Sequence, residues 1–207
     1  MIFGKIDYLN LLPFYIFLQR TVPKISKFRK GVPSEINKIF HSRKVDLAFI
    51  SSVTSQKSHC STLGIIARDE VLSVLVLDGK LKKDSASETS NRLAEILKID
   101  GEIVIGDRAL SLYFDKSNHI IDLALEWKKR YKLPFVFARL CFHKNRDIIN
   151  RIERKFRKEK ISIPNYIMVR ESKKIDISRD NIKTYLSKID YRCDKKSQKG
   201  LNRFLRS

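Results

Sequence analysis

The chain has 207 residues, 43% of them apolar, with 43 Lys and Arg against 23 Asp and Glu and a formal net charge of +20. That length and apolar content suit one sizeable core or two small lobes and exclude a disordered chain. No apolar run reaches the roughly 18 residues of a membrane span, and the N-terminus lacks a basic head, an apolar middle and a small-residue cleavage site, so a cytoplasmic protein without membrane insertion is expected.

From the N-terminus the pattern alternates strand and helix. "IFGKID" reads as extended and "LPFYIFLQR" as helical, with Asn10 and Pro13 between and at the mouth. An extended piece near Ile25 to Phe28 precedes "PSEINKIF", a helix whose Pro33 suits the first turn and whose Ile36, Ile39 and Phe40 share a face. "VDLAFI" is a short apolar run of the kind buried in a parallel sheet, and two more runs follow at 63–67 and 71–77. A second α/β unit begins with "SETSNRLAEILK", a helix with Leu93, Ile96 and Leu97 inward, and continues with the strand "EIVIG" and the helix "IDLALEWKKRY", its stripe formed by Leu123, Trp127 and Tyr131. "FVFARL" then carries the chain back. The expected architecture is α/β with two lobes, residues 1–77 plus 139–207 in the first and 78–138 in the second. Two crossovers, near 72–84 and 135–141, leave a ligand cleft between them.

The charge is unevenly placed. Residues 139–207 hold 21 Lys and Arg against 8 Asp and Glu, a net +13 of the total +20. Much of it falls on a helix around "RIERKFRKEK", where Ile148, Ile149, Ile152 and Phe156 share one face and the charges the other. A solvated helix face accounts for that pattern, and without basic-aromatic interleaving or a helix-turn-helix pattern no nucleic-acid partner is expected. Cys60, Cys141 and Cys193 are odd in number, far apart and without a CxxC pair, so they read as reduced thiols. The four histidines show no HxxxH or HExxH spacing, and no metal site is expected.

In open α/β sheets ligands sit beyond the carboxyl ends of strands, where loops lead into helix N-termini. The polar residues gather there: Asn10 after the first strand, Ser51 and Ser52 after "VDLAFI", Ser85, Ser87, Thr89 and Ser90 ahead of a helix, Asp107 and Arg108 after "EIVIG". Hydroxyls and free amides at a helix mouth make a seat for a carboxylate. Each also has a plainer role. Ser87 to Ser90 can be an N-cap, Ser51, Ser52 and Asp107 turn residues, Arg108 a surface ion-pair partner, and Asn10 a cap. Ser73 interrupts an apolar strand, where its hydroxyl needs a polar partner. There is no GxSxG, no glycine-rich phosphate loop and no supported Cys/His pair, so the residues fit either anion binding or an elimination carried by positioning.

Taken in order, "YLNLLPFY", "GVPSEINKIFHSRKVDLAFISS", "VLSVLVL", "SASETSNRL", "IGDRAL" and "DLALEWKKRYKLPFVFA" resemble the chorismate dehydratases of the futalosine route to menaquinone, over roughly residues 4–138. The resemblance implies a type II periplasmic-binding-protein-like fold and a cofactor-free, metal-free hydro-lyase acting on dianionic chorismate to give 3-[(1-carboxyvinyl)oxy]benzoate. It sets Asn10 against the reacting ring as the catalytic residue, with the substrate's own carboxylate sharing in deprotonation. Ser73, Ser87, Thr89 and Ser90 would bind carboxylates, Ser51 and Ser52 would complete the floor, and the Asp107–Arg108 loop would close the second lobe. The alternative is a binding protein of the same fold that holds a small carboxylate without chemistry.

Overall fold

The computed structural model describes residues 1–22, 27–115 and 119–207. The larger sheet has the order β2-β1-β3-β8-β4-β9, formed by β1 (Ile2–Ile6), β2 (Lys27–Gly31), β3 (Leu47–Ser51), β4 (Cys60–Ala67), β8 (Phe135–Phe142) and β9 (Ile189–Arg192). β1 runs parallel to β2 and β3, as expected for strands joined through α1 (Leu12–Thr21) and α2 (Pro33–His41). β8 lies antiparallel between β3 and β4, and β9 closes the edge against β4. β3 is buried along its whole length, which explains its continuous apolar sequence. The expectation for Ile25 and Ser26 lies outside the described residues.

The smaller sheet, β6-β5-β7, consists of β5 (Val74–Leu77), β6 (Glu102–Ile105) and β7 (Ile120–Asp122), with both pairings antiparallel. α3 (Glu88–Leu97), α4 (Gly106–Asp115) and α5 (Leu123–Tyr131) accompany it. Two strands change sides relative to the sequence expectation. Val74–Leu77, inside the first lobe by the expected boundary at 77, pairs with β6 and β7, and Phe135–Ala138, inside the second by the boundary at 138, pairs with β3 and β4. The chain therefore crosses between sheets at 68–73 and 132–134. The first crossing turns at Leu72, whose φ of 60° lies in the left-handed region, and the second at Lys132, with φ 56°.

The C-terminal third is more regular than its polar composition suggests. It contains α6 (Arg146–Phe156), α7 (Asn165–Ile175), α8 (Arg179–Ser187) and α9 (Lys195–Arg206). Each turns an apolar stripe inward and leaves its cations in water. Phe156 of α6 packs edge-on against Phe14 and Phe17, with centroids 5.1 and 5.0 Å apart. Phe204 of α9 meets Phe135 of the large sheet and Trp127 of α5, so the last helix bridges both layers.

The cysteine expectation is corrected. Cys60 and Cys141 are register partners on β4 and β8 and form a disulfide, while Cys193 is free. An 81-residue separation hides a pair that antiparallel pairing sets directly opposite. Among the described residues no helix is long and apolar enough to cross a membrane, and no group of three His, Cys, Asp or Glu could hold a metal ion.

Candidate active site

A cavity of about 70 Å³ lies between the two sheets. Its apolar walls include Ile6, Phe49, Ile65, Val74 and Phe137, and its polar lining is Tyr8, Asn10, Ser51, Ser73, Ser87 and Ser90. The first residues of three helices reach it: Pro33 of α2, the Ser87 cap of α3 and Gly106 of α4. Helix N-termini carry the positive end of the helix dipole, which favours negative charge nearby. No Lys, Arg, His, Asp or Glu is among the described residues that line it.

Asn10 sits in a single 3-10 turn, Leu9–Leu11, between β1 and α1. Pro13 occupies the first turn of α1, where its missing N–H loses nothing. The Asn10 carbonyl accepts from Tyr191 Oη of β9 at 2.5 Å, which fixes the backbone of the turn. Ser73 Oγ accepts from Tyr185 Oη of α8 at 2.9 Å, and its carbonyl receives the Gly106 N–H at 2.9 Å. Ser51 is held at the end of β3 by Asn37 of α2, whose Nδ2 donates to Ser51 Oγ at 2.7 Å and whose Oδ1 accepts from Ser51 N–H at 3.2 Å. Having accepted, the Ser51 hydroxyl keeps a proton to donate. Ser87 caps α3 by accepting from Ser90 N–H at 3.2 Å, and the two hydroxyls are 2.8 Å apart, so its cap role and its place at the cavity coexist.

Four candidates take other positions. Ser52 is fully buried and spent on the sheet, its Oγ donating to the Val136 carbonyl and its N–H to that of Phe137. Thr89 Oγ1 accepts from Val53 N–H at 3.3 Å, a bond from the small lobe to the loop after β3. Asp107 does the same on the opposite rim: its Oδ1 accepts from Leu9 N–H at 3.0 Å, and Lys174 Nζ of α7 stands 3.6 Å from its Oδ2. Burial pushes the Asp107 carboxyl above its ordinary range, against the pull of Leu9 N–H and Lys174. Arg108 points away from the cleft, its side chain 67% exposed and paired with Glu102 at 3.3 Å. The Asp107–Arg108 segment is the first turn of α4 and not a loop, because Gly106 at φ 66° turns the chain directly from strand into helix.

Tyr8, Tyr185 and Tyr191 escaped the sequence reading. Tyr8 lies inside the quoted "YLNLLPFY" and packs over Gly106, where a Cβ would come within 2.8 Å of its ring. Burial, helped by the carboxylates of Asp84 and Asp107, pushes its phenol up to about 12, so at neutral pH it is an uncharged donor. Tyr185 and Tyr191 sit in "NIKTYLSKIDYR", where the sequence offers only an apolar stripe. A larger groove of about 890 Å³ runs along β4, β9 and residues 156–163. Several of its charges are paired, Arg68 with Asp190 and Asp194 and Lys188 with Glu70, and it reads as solvated surface.

Comparison with known proteins follows the same lines. The sequence profile of the family described as menaquinone biosynthesis matches residues 1–99 and 86–207. A chorismate dehydratase of Campylobacter jejuni is 41% identical over 216 residues, covering 100% of this chain and 97% of that protein. Among solved structures, protein AF1704 of Archaeoglobus fulgidus superposes with a TM-score of 0.68 at 11% identity, covering 99% of this chain and 95% of the other. The periplasmic aliphatic sulphonate binding protein SsuA of Escherichia coli does so at 0.58 and 10%, covering 100% and 86%. The Candida albicans CA3427 gene product, described as having the generic periplasmic binding protein fold, does so at 0.55 and 11%, covering 99% and 89%. These likenesses establish the periplasmic-binding-protein-like fold.

Proposed function

The chain belongs to the menaquinone-biosynthesis family, and from that premise we propose that it is a chorismate dehydratase, a cytoplasmic, cofactor-independent hydro-lyase forming 3-[(1-carboxyvinyl)oxy]benzoate. The observation that carries the reading is the cavity itself: one amide, four serine hydroxyls, one neutral phenol and three helix N-termini, flanked by apolar walls. That set can hold a dianion without a fixed countercharge.

In the reaction the ring C3–H bond breaks and its electron pair forms the C3–C4 double bond. The C4–O bond breaks with it, and the departing hydroxide leaves as water with the released proton, so no oxidant or reductant is needed. Aromatisation supplies the driving force, and the protein contributes alignment. With no basic side chain among the described lining residues, the substrate's own carboxylate is the proton acceptor in this reading. Asn10 contacts the ring region, while Ser51, Ser73, Ser87 and Ser90 hold the carboxylates. Ser52, Thr89 and Asp107 act indirectly, the last two as hydrogen bonds between the lobes that must open to admit substrate. A cavity of about 70 Å³ is small beside the roughly 300 Å³ and more of small-molecule sites, which is consistent with a closed cleft.

Incubating the purified protein with chorismate, followed by absorbance and mass, tests the proposal. Conversion to the aromatic enol ether and water is expected, and Asn10→Ala should lower kcat at least about tenfold, or about 1.4 kcal/mol. Chorismate bound but never consumed would refute the dehydratase and leave a carboxylate-binding protein.

A further inference from the structure

Ser51 and Ser52 are neighbours whose hydroxyls are used in opposite ways. Ser52 spends its proton on the Val136 carbonyl, whereas Ser51 Oγ receives a hydrogen from Asn37 Nδ2 at 2.7 Å. A second bond settles which end of the Asn37 amide faces that hydroxyl. Ser51 N–H can only donate, so the amide atom that meets it at 3.2 Å is Oδ1, and the NH2 is left for Ser51 Oγ. The hydroxyl oxygen therefore accepts, and its own proton has no acceptor among the described residues. Ser51 lines the cavity, where that proton can find a partner, and Asn37 stands behind it, outside the lining.

The amide is firmly seated. Asn37 is 7% exposed and lies one turn after Pro33 at the cavity wall, between Ile36 and Phe40, which are sealed in the core. Gly4 of β1 lets the helix lie this close to the sheet, since a Cβ there would come within 3.0 Å of Ile36 Cγ2.

We propose that Asn37 is a positioning residue for substrate binding: by donating to Ser51 Oγ it keeps the Ser51 proton unspent, so that Ser51 donates to a carboxylate oxygen of the substrate. A serine hydroxyl in a buried site otherwise turns its proton to whatever protein acceptor is near, as Ser52 does. The bond that Ser51 receives also strengthens the one it gives. This deepens the dehydratase reading, on which it rests, by naming the group that prepares one of the carboxylate contacts.

Ser51→Ala removes the donor, and Asn37→Ala removes the group that sets it. Each should raise KM for chorismate about tenfold with kcat within about threefold, because a bond to a carboxylate serves ground state and transition state alike. The double variant should lie within about twofold of Ser51→Ala, since Asn37 acts through a hydroxyl already gone. An unchanged KM in either single variant, a loss confined to kcat, or losses that multiply, as a purely structural Asn37 would give, would overturn the proposal. Thermal melting confirms that each variant is folded. Asn37→Asp covers the case in which Asn37→Ala does not fold. It keeps the size and the acceptor for Ser51 N–H, and its ionised form, favoured by bonds from Ser51, takes the hydroxyl proton for itself. Its KM penalty in a Ser51→Ala background measures the added charge alone. A penalty about fivefold or more greater with Ser51 present is expected, and equal penalties would overturn the proposal. If chorismate is bound but not consumed, the dehydratase reading falls and the same comparisons are read in Kd; no binding at all sinks both.

Discussion

Asp122→Asn tests whether one buried carboxylate pins the first crossover to the small lobe. Asp122 Oδ2 accepts from Val71 N–H at 2.9 Å and Leu72 N–H at 2.7 Å, and Oδ1 from Ala124 N–H at 2.9 Å and Leu125 N–H at 3.1 Å. One oxygen thus caps α5 and the other holds a turn that places Leu72 at φ 60°, an unfavourable region for a residue with a Cβ. Asparagine keeps the size but offers one acceptor, so its NH2 must be set against two backbone donors. Bonds to a charged acceptor are worth about 1.5–3 kcal/mol each, and losing two costs about 3–6 kcal/mol. At about 2–4 °C per kcal/mol for a chain of this length, Tm should fall by roughly 6–24 °C in thermal unfolding followed by circular dichroism. Asp180→Asn is the control, since among the described residues Asp180 pairs with Lys183 on the exposed face of α8 and its loss should leave Tm where it is. Ser73 follows Leu72 directly, so kcat/KM should also fall by about tenfold well below the Tm of Asp122→Asn, because about 1.4 kcal/mol of lost alignment suffices. A Tm indistinguishable from that of the unsubstituted protein would refute the claim that this carboxylate holds the turn.

Three further expectations follow from the same geometry. Arg108→Ala should leave kcat/KM within about twofold, since the side chain points to solvent and pairs with Glu102, and a tenfold loss would mean that it reaches the substrate. Gly106→Ala forces a φ of 66° on a residue with a Cβ and drives that Cβ to 2.8 Å from the Tyr8 ring; it should lower Tm and cut kcat/KM by about tenfold or more, and normal kinetics would show the Tyr8 wall to be dispensable. Asp194 caps α9, and its carboxyl is held at about 2 by the Ser197 N–H first, then by the Ser197 hydroxyl and Arg68. Because that lies below the ordinary 3.8, its stabilisation is present above about pH 4 and lost as pH falls toward 2. The Tm deficit of Asp194→Asn should therefore be largest near neutral pH and shrink across that window, and a deficit independent of pH would contradict the assignment.

What could be read from the sequence was whatever left a local trace. The helix at 33–41 announced itself by Pro33 at its mouth and a 3.6-residue stripe, and β3 by an uninterrupted apolar run. α4 left none, because "GD" after a strand has the composition of a turn and only the positive φ of Gly106 shows that it opens a helix. The side of the cleft to which β5 belongs is set by its pairing with β6 and β7, a nonlocal fact, and the same holds for Cys60 opposite Cys141. At the cavity, Asn10, Ser51, Ser87 and Ser90 were readable as polar groups at strand ends, and Ser73 as a hydroxyl interrupting an apolar run. Ser52 and Thr89 carry the same hydroxyls at the same ends but face the sheet and the opposite lobe, a choice of direction that no spacing encodes. Tyr185 was the harder case, since a tyrosine in an amphipathic stripe looks like core, and it is core except for one oxygen.

The net charge of +20 has no part in the cavity, whose described lining contains no cation. A site for a dianion could have used an arginine clamp, which would bind substrate and transition state alike and lower KM without raising kcat. It would also depress the pKa of the bound carboxylate, as an opposite charge at close range does. If that carboxylate must accept the ring proton, as proposed, a clamp weakens the base the reaction relies on. Neutral hydroxyls and helix N-termini hold an anion while leaving it more basic, because partial charges stabilise the ionised form less than a full one. The cavity's apolar walls act in the same direction, since removal from water raises a carboxylate's proton affinity. The absence of a formal charge among the described lining residues thus suits the proposed elimination, in which the substrate supplies the base and alignment by the cavity's amide and hydroxyls does the rest.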